Sequence, residues 1–378
     1  MENRPVSFFI PGLNGGGAQK VVVNLANALV DLTDRPVHIV LARAAGEFLD
    51  EVRPEVEIVD LGKGRASRAI PALARYLRRV RPAVLCSSLN YANVCAAVAW
   101  QLAGRPGRLV VREDNVVREP GGDPRRFLQR FLIQRLMRAC YPRTSSVVAI
   151  SDAVAGTLVD RKICLRSHVR VIGNPIAITA ASEACSSETP LPEIKGKRYI
   201  CAIGRLTEQK GFDVLLEAYG RLGDGKPDLV ILGEGPLRAD LAAQADRLGV
   251  ADQVHMPGFV SAPEKVLSSS ALFVLSSRWE GFGNVLVEAL ATGAPVVSTD
   301  CPGAPRALLR DAELGHLVPV NEPDGLAAAI TEALHSPRGT REARQERARD
   351  FAAPSIAREY MEVAFELEPV PSPDRHNV

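Results

Sequence analysis

Short, nearly all-apolar segments alternate with amphipathic ones along almost the whole chain, and this alternation limits the possible folds more than any other feature. In the first half the apolar runs are Val6–Ile10, Val37–Leu41, Val56–Leu61, Val84–Cys86, Leu109–Arg112, Val147–Ile150 and Val169–Ile172. In the second half they are Tyr199–Ile203, Leu229–Leu232, Val254–Met256, Leu272–Leu275, Pro295–Ser298 and Leu317–Val320. Helical patterns lie between them, as at Gln19–Leu29, Phe212–Leu222, Leu237–Leu248 and Asn284–Ala291. Strands that are apolar throughout are buried on both faces, so the pattern predicts an α/β protein with parallel sheets covered by helices. A chain of 378 residues is too long for one ordinary core and suits about two domains. The break falls in the polar stretch after Gly173, Asn174 and Pro175. The expected division is a first domain over 1–174, a linker over 175–196, a second domain over 197–353, and a terminal helix with a tail over 354–378.

Composition removes several classes of protein. With 46% apolar and 24% charged residues the chain is neither disordered nor collagen-like. Its longest nearly apolar stretch, Val94 to Ala103, is about half of a bilayer span. The start lacks a signal-peptide pattern, which leads us to expect a cytoplasmic protein. Seven scattered cysteines, never spaced C-x-x-C, support neither a disulfide framework nor a zinc site. The net charge of +2 conceals an asymmetry: residues 1–174 hold 26 Lys and Arg against 15 Asp and Glu, while the remainder holds 20 against 29. The first half is therefore expected to meet something anionic, a membrane surface or a phosphorylated substrate. Nucleic acid is the weaker reading and no such partner is expected, because aromatics are only 5% and no basic–aromatic ladder appears.

Parallel sheets place ligands at the carboxyl ends of their strands, so each strand-to-helix turn is a candidate. The first, PGLNGGGAQK, is rich in glycine and opens a helix near Ala18. Glycines let the backbone approach a ligand, and a helix start offers N–H groups to anions. The turn departs from both common nucleotide fingerprints: Ala18 and Gln19 follow Gly17 where a Walker loop needs Lys and Ser or Thr, and Lys20 breaks G-x-G-x-x-G. A purely structural turn is the alternative. In IGRLTEQKGF, Arg205 and Lys210 sit five apart around one turn, where both can clamp a diphosphate; otherwise they are two solvated loop charges. Lysine is scarce here, 38 of the 46 basic residues being Arg, so Lys210 stands out. In SSRWEGFGNVLVEALATGAPVVSTD a loop with Glu280, Gly281 and Gly283 precedes a helix beginning near Asn284. The amides of Asn284, Val285 and Leu286 could hold a phosphate oxygen. Glu288, one turn inside, could accept hydrogen bonds from the vicinal hydroxyls of a ribose, and Glu280 could meet hydroxyls beyond the phosphate. The alternative makes them a loop charge and a helix-face charge.

With GGGAQK, IGRLTEQKGF and LGEGP, the E-x7-E element EGFGNVLVE resembles the family-4 retaining glycosyltransferases of the GT-B fold. The match runs from Phe8 to about Phe365, and the ordered set is specific although no single element is. The resemblance implies two facing Rossmann-like domains, with a nucleotide-sugar donor held mainly by the second and an acceptor entering the first. The C-terminal helix would cross back to the first domain. Arg205 and Lys210 would take the donor diphosphate and Glu288 the ribose. Glu280 and the backbone around Phe282, Gly283 and Asn284, with Val285, would hold the transferred sugar. Glu234, Phe259 and Val260 would lie near the base, and Gly16 and Gly17 near the phosphate and sugar. Such enzymes retain anomeric configuration by same-face attack, in which the departing phosphate takes the acceptor's proton. No metal or other cofactor is expected, cations serving in place of magnesium.

One departure stands out. Many relatives carry a histidine in a loop of the first domain, where VVREDNVVRE has Glu113, Asp114 and Asn115. Asp114 could orient sugar or acceptor, or it could cap a helix or turn. His38 and His168, beside predicted strands, read as structural. In DPRRFLQRFLIQRLMRACYPR, Phe127, Leu128, Phe131, Leu132, Leu136 and Met137 recur at helical spacing, flanked by Arg126, Arg130 and Arg135 among others. This basic amphipathic helix could lie on an anionic membrane, or its apolar side could simply pack on the sheet. REARQERARD reads as a solvated helix face with i, i+4 pairs. The chain is thus expected to move a sugar, an N-acetylhexosamine by the look of GGGAQK, from a UDP-linked donor to a glycan or lipid-linked saccharide in surface polysaccharide synthesis. Its place would be the cytoplasm, with association at the inner face of the membrane. The rivals are a non-catalytic sugar-nucleotide binder, suggested by the missing histidine, and a nucleotide-sugar epimerase. Oligomeric state has no signature in the sequence.

Overall fold

The computed structural model describes residues 4–14, 16–115, 124–178, 191–260 and 262–368, with backbone alone for 124–130 and 193. It divides into two units, Met1–Ala177 with Ala352–Val378 and Ile178–Phe351. All thirteen strand segments anticipated from apolar runs are strands, with ends moved by a residue or two.

The first unit holds a parallel sheet of seven strands: β1 (Val6–Ile10), β2 (Val37–Leu41), β3 (Val56–Asp60), β4 (Val84–Ser88), β5 (Arg108–Glu113), β6 (Ser146–Ala149) and β7 (Val169–Val171). Their spatial order is β3-β2-β1-β4-β5-β6-β7. Every residue of β1, β2 and β4 is buried, as expected of strands covered on both faces. Five helices connect these strands: α1 (Gly17–Val30), α2 (Ala66–Val80), α3 (Asn90–Leu102), α4 (Pro124–Cys140) and α5 (Asp152–Asp160). α2 packs on α3 and α3 on α4, whereas α1 packs on the C-terminal helix.

That C-terminal helix, Ala353–Glu359, runs on into a wide turn, Tyr360–Phe365, and both belong to the first unit. The chain re-enters at Ala352, which bridges Ile176, and the Ala353 amide donates to the Ile176 carbonyl at 2.9 Å. The Phe365 ring then meets Phe8 of β1 with centroids 6.3 Å apart, and Arg108 grips Glu366 through both guanidinium nitrogens at 2.7 and 2.6 Å. Burial of two aromatic rings and a closing ion pair fasten the terminal segment to the first sheet.

The second unit holds a parallel sheet of six strands: β8 (Tyr199–Ile203), β9 (Asp228–Leu232), β10 (Val254–Gly258), β11 (Leu272–Leu275), β12 (Val296–Thr299) and β13 (His316–Val318). Their order is β10-β9-β8-β11-β12-β13. The helices next to the candidate residues are α6 (Phe212–Gly220), α7 (Arg238–Arg247), α8 (Pro263–Ser268) and α9 (Asn284–Thr292). Phe212, Leu215, Leu216 and Tyr219 of α6 pack with Ile200, Leu229, Ile231 and Val274 of the strands into one core.

Two expectations about helix faces are corrected. REARQERARD forms the helix Arg341–Arg349, but one side of it is buried rather than solvated. Arg344 is buried and donates to the carbonyls of Gly293, Arg338 and Gly339, while Arg347 lies over the Phe351 ring. The carbonyl of Gly293, just past α9, and those of Arg338 and Gly339 draw Arg344 inward, since buried carbonyls require donors. In α4, the apolar residues divide between two sides: Met137 is buried with Gln134, whereas Phe131, Leu132 and Leu136 are 40%, 50% and 48% exposed. At 100° per residue, 134 and 137 lie together and 132, 135 and 136 point away from them, with 131 at the edge between. Phe127, Leu128, Arg126 and Arg130 lie outside the described side chains.

Six cysteines are buried free thiols, and Cys185 lies outside the described residues. His38 binds the Tyr76 hydroxyl at 2.8 Å, and His168 faces the Thr144 hydroxyl and the Tyr141 carbonyl, so both serve the core of the first unit.

Candidate active site

In an open parallel sheet a crevice forms where the strand order reverses, between two neighbours whose crossovers lead to opposite sides. In the second unit this point lies between β8 and β11. The loops on its two sides are Gly204–Gly211, with Arg205 and Lys210, and Ser276–Gly283, with Glu280. The structure brings these together. Lys210 Nζ donates to Glu280 Oε1 at 2.6 Å, and the Ser277 hydroxyl donates to the same oxygen at 2.6 Å. Both members of this ion pair are largely buried. Glu280 is held from behind as well, its amide donating to the Pro302 carbonyl at 2.9 Å.

The two loops are tied along their length. The Ser276 hydroxyl donates to the Lys210 carbonyl, the Arg278 amide to the Gln209 carbonyl, and the Gln209 side chain to the Trp279 carbonyl. Arg278 clamps the Asp213 carboxylate with two nitrogens at 2.9 and 2.6 Å and also reaches the Glu208 carbonyl and Asn321. Burial would raise the Asp213 carboxyl, but the hydrogen bonds and charge of Arg278 hold it below its ordinary value. Close approach at the start of α6 depends on Gly211, whose φ is +62° and where an added Cβ would strike the Ser276 carbonyl.

Helix α9 begins at Gly283, which has a φ of +98°, no side chain to close the helix start, and no acid in the first turn after it. Such a start favours an anion. Phe282 is buried edge-on against Phe351, centroids 5.3 Å apart, which fixes the backbone entering the helix. Glu288 is half-buried one turn further on. Arg205 is exposed at the start of the loop that ends in Lys210. On the other side of β8, Glu234 pairs with Arg238 at 2.9 Å, Gly258 turns tightly beside the Glu234 carboxylate, and Phe259 stands 78% exposed next to Val260. Cys301 borders the Lys210–Glu280 pair; burial, then the charge of Glu280, pushes its thiol up to about 12, so it stays protonated and inert.

The first unit has its own reversal, between β1 and β4. Gly16 and Gly17 stand at the start of α1, on the β1 side. Asp114 follows β5 and points inward: its carboxylate pairs with Arg112 and accepts the Leu89 amide at 3.2 Å. Arg112 is 1% exposed and donates to Asn174 Oδ1 at 2.5 Å. Beside it, burial lifts the Glu113 carboxyl to about 7, although hydrogen bonds from Tyr141 and Asn93 pull it back. Neither Ser277 nor Arg112 was foreseen, because a serine in a loop and an arginine ending a strand carry no periodic signal.

Each unit also matches a family model along most of its length. Residues 15–179 match that of Glycosyltransferase Family 4, and residues 187–351 match that of Glycosyl transferases group 1. The chain belongs to glycosyltransferase family 4. The order of motifs and the two reversals are those of a glycosyltransferase of the GT-B fold. A Campylobacter jejuni relative, N-acetylgalactosamine-N,N'-diacetylbacillosaminyl-diphospho-undecaprenol 4-alpha-N-acetylgalactosaminyltransferase, is 28% identical over 87% of this chain and 90% of its own. The phosphatidyl-myo-inositol mannosyltransferase of Mycobacterium tuberculosis is 41% identical over 54% of this chain and 53% of its own. Among solved structures, Anabaena HepE in complex with UDP and glucose superposes with a TM-score of 0.79 at 20% identity, covering 96% of this glycosyltransferase and all of HepE. At that identity the likeness speaks for the fold.

Proposed function

We propose that this glycosyltransferase takes an N-acetylhexosamine from a UDP-linked donor and, with retention, places it on a hydroxyl of a lipid-linked saccharide during surface polysaccharide assembly. The observation that carries the reading is the Lys210–Glu280 pair beside the open start of α9. Lys210 and Arg205 neutralise the diphosphate, and the first amides of α9 take a phosphate oxygen. Glu280, fixed by Ser277, turns its carboxylate to the sugar hydroxyls, and Glu288 accepts from the ribose. As the bond from C1 to the diphosphate oxygen breaks, negative charge grows on the leaving group, and fixed cations lower the barrier most at that moment. The acceptor oxygen bonds to C1 on the face the diphosphate leaves, and its proton passes to the departing phosphate. These cations do the work a divalent metal would otherwise do.

The names of two C. jejuni relatives, both N-acetylgalactosaminyltransferases acting on diphospho-undecaprenol-linked saccharides, support the donor sugar and the lipid-linked acceptor. A thermal-shift screen of nucleotides and nucleotide sugars tests the donor, since a ligand at 100 times its Kd stabilises by about 2.7 kcal/mol. UDP-N-acetylhexosamines should raise the melting temperature above that seen with ADP- or GDP-sugars, and Glu288→Ala should abolish the rise. No shift with any UDP-sugar would end this assignment.

The acceptor places the enzyme at a membrane surface. No helix among the described residues is long and apolar enough to cross a membrane. The outward side of α4, with Leu132, Leu136 and Phe131 under the Arg135 guanidinium, supports contact with anionic lipid instead. Leu132→Ser with Leu136→Ser and Arg135→Glu should reduce flotation with phosphatidylglycerol-containing vesicles about tenfold. Undiminished flotation counts against this surface.

A further inference from the structure

The crevice between β1 and β4 has two unlike walls. On the β1 side the chain runs through a glycine-rich turn into α1. On the β4 side it turns sharply through Leu89 into α3, and there the structure holds an unusual backbone. Leu89 has φ 77° and ψ 122°, a conformation that an L-residue with a branched side chain rarely adopts. Such a corner persists only where its surroundings hold it in place, and it collects at functional sites.

The surroundings do hold it. The Leu89 amide donates to Asp114 Oδ2 at 3.2 Å, the Leu89 carbonyl accepts the Asn93 amide at 2.8 Å, and Asn90 Oδ1 accepts the Tyr91 amide at 2.7 Å. Asp114 is fixed in turn by the buried Arg112, whose other arm is anchored on Asn174. Two residues on, in the first turn of α3, Tyr91 is 40% exposed, although Ala92, Val94 and Cys95 just after it are buried. Core packing gains nothing from an aromatic ring presented outward on a strained corner.

We propose that this corner is the acceptor-saccharide subsite. It rests on the glycosyltransferase reading and assigns residues that reading leaves open. The Tyr91 ring is the platform for the apolar C–H face of a pyranose, as suits an amphipathic aromatic side chain. The Asn90 and Leu89 backbone borders it. Asp114 is a positioning residue: it holds Leu89 and thereby Tyr91, and does not touch the sugar.

The test uses the full chain and two readouts, UDP release from a UDP-N-acetylhexosamine without acceptor, and transfer to polyprenyl-diphosphate carriers bearing glucose, galactose or an N-acetylhexosamine. Tyr91→Ala should raise the acceptor KM tenfold or more, with donor KM and acceptor-free UDP release within twofold of wild type. Tyr91→Phe should stay within twofold throughout. Asp114→Asn should raise the acceptor KM about fivefold, and Leu89→Gly, which frees the corner, should bring that KM to a similar value without adding to the effect of Asp114→Asn. A wild-type acceptor KM in Tyr91→Ala overturns the subsite, and fully additive effects overturn the role of Asp114. Wild-type enzyme that releases UDP yet transfers to no carrier overturns the choice of a pyranose occupant. Absence of UDP release under every condition instead sinks the underlying transferase reading.

Discussion

Replacing Lys210 by alanine is expected to lower kcat by about 10²- to 10³-fold, the usual effect of removing one fixed stabiliser of developing charge. The loss has two parts. The leaving diphosphate no longer meets an ammonium as its charge grows, and Glu280 is left largely buried with the Ser277 hydroxyl on the oxygen that Lys210 had shared. An unpaired buried carboxylate takes up a proton or turns away, and either change disturbs the transferred sugar. Donor KM should rise by a smaller factor than kcat falls, because charge on the leaving group is greater at the transition state than in the bound donor. Steady-state UDP release over a range of donor concentrations measures both. Unchanged kcat would remove Lys210 from the chemistry and leave it as a structural partner of Glu280.

Arg112→Met should have the largest effect on stability, about 3 to 5 kcal/mol, the range for breaking a buried pair from one side. Arg112 ties together two separate parts of the first unit, Asp114 after β5 and Asn174 after β7. Its removal strands a carboxylate that is already costly; burial pushes the Asp114 carboxyl up even though Arg112 and the Leu89 amide pull it back. For a unit of this size the loss corresponds to a fall in melting temperature of roughly 10 °C, which calorimetry resolves. Replacing Asp114 by leucine in the same chain should recover much of that stability, since an apolar pair needs no desolvation. A melting temperature unchanged in Arg112→Met would mean that the pair contributes nothing net.

The two predictions differ in how far the sequence foretold them. Lys210 was legible because a scarce lysine stands beside a glycine between a strand and a helix, a local pattern. Glu280 was legible on its own too, but their pairing was not, for Glu280 lies seventy residues further along and only the pairing of β8 with β11 brings the loops together. Arg112 gave no sign at all: it ends an apolar run, where a charge normally marks the edge of the sheet. The same limit explains α4 and REARQERARD. Periodicity shows that a helix has distinct sides, but which side turns inward depends on what the neighbours offer. For Met137 that was a buried place, and for Arg344 it was the carbonyls of Gly293, Arg338 and Gly339.

The sequence by itself determined the thirteen strands, the two parallel sheets and the family, because a strand buried on both faces must be apolar along its whole length and the tight strand-to-helix turns carry glycine. The tertiary structure alone decided that Lys210 and Glu280 form a pair, that Asp114 faces the core, and that Asp114 meets the strained corner at Leu89. Each of these is a contact between groups far apart in the chain, and the free energy of such a contact exists only once folding has brought its partners out of water and together.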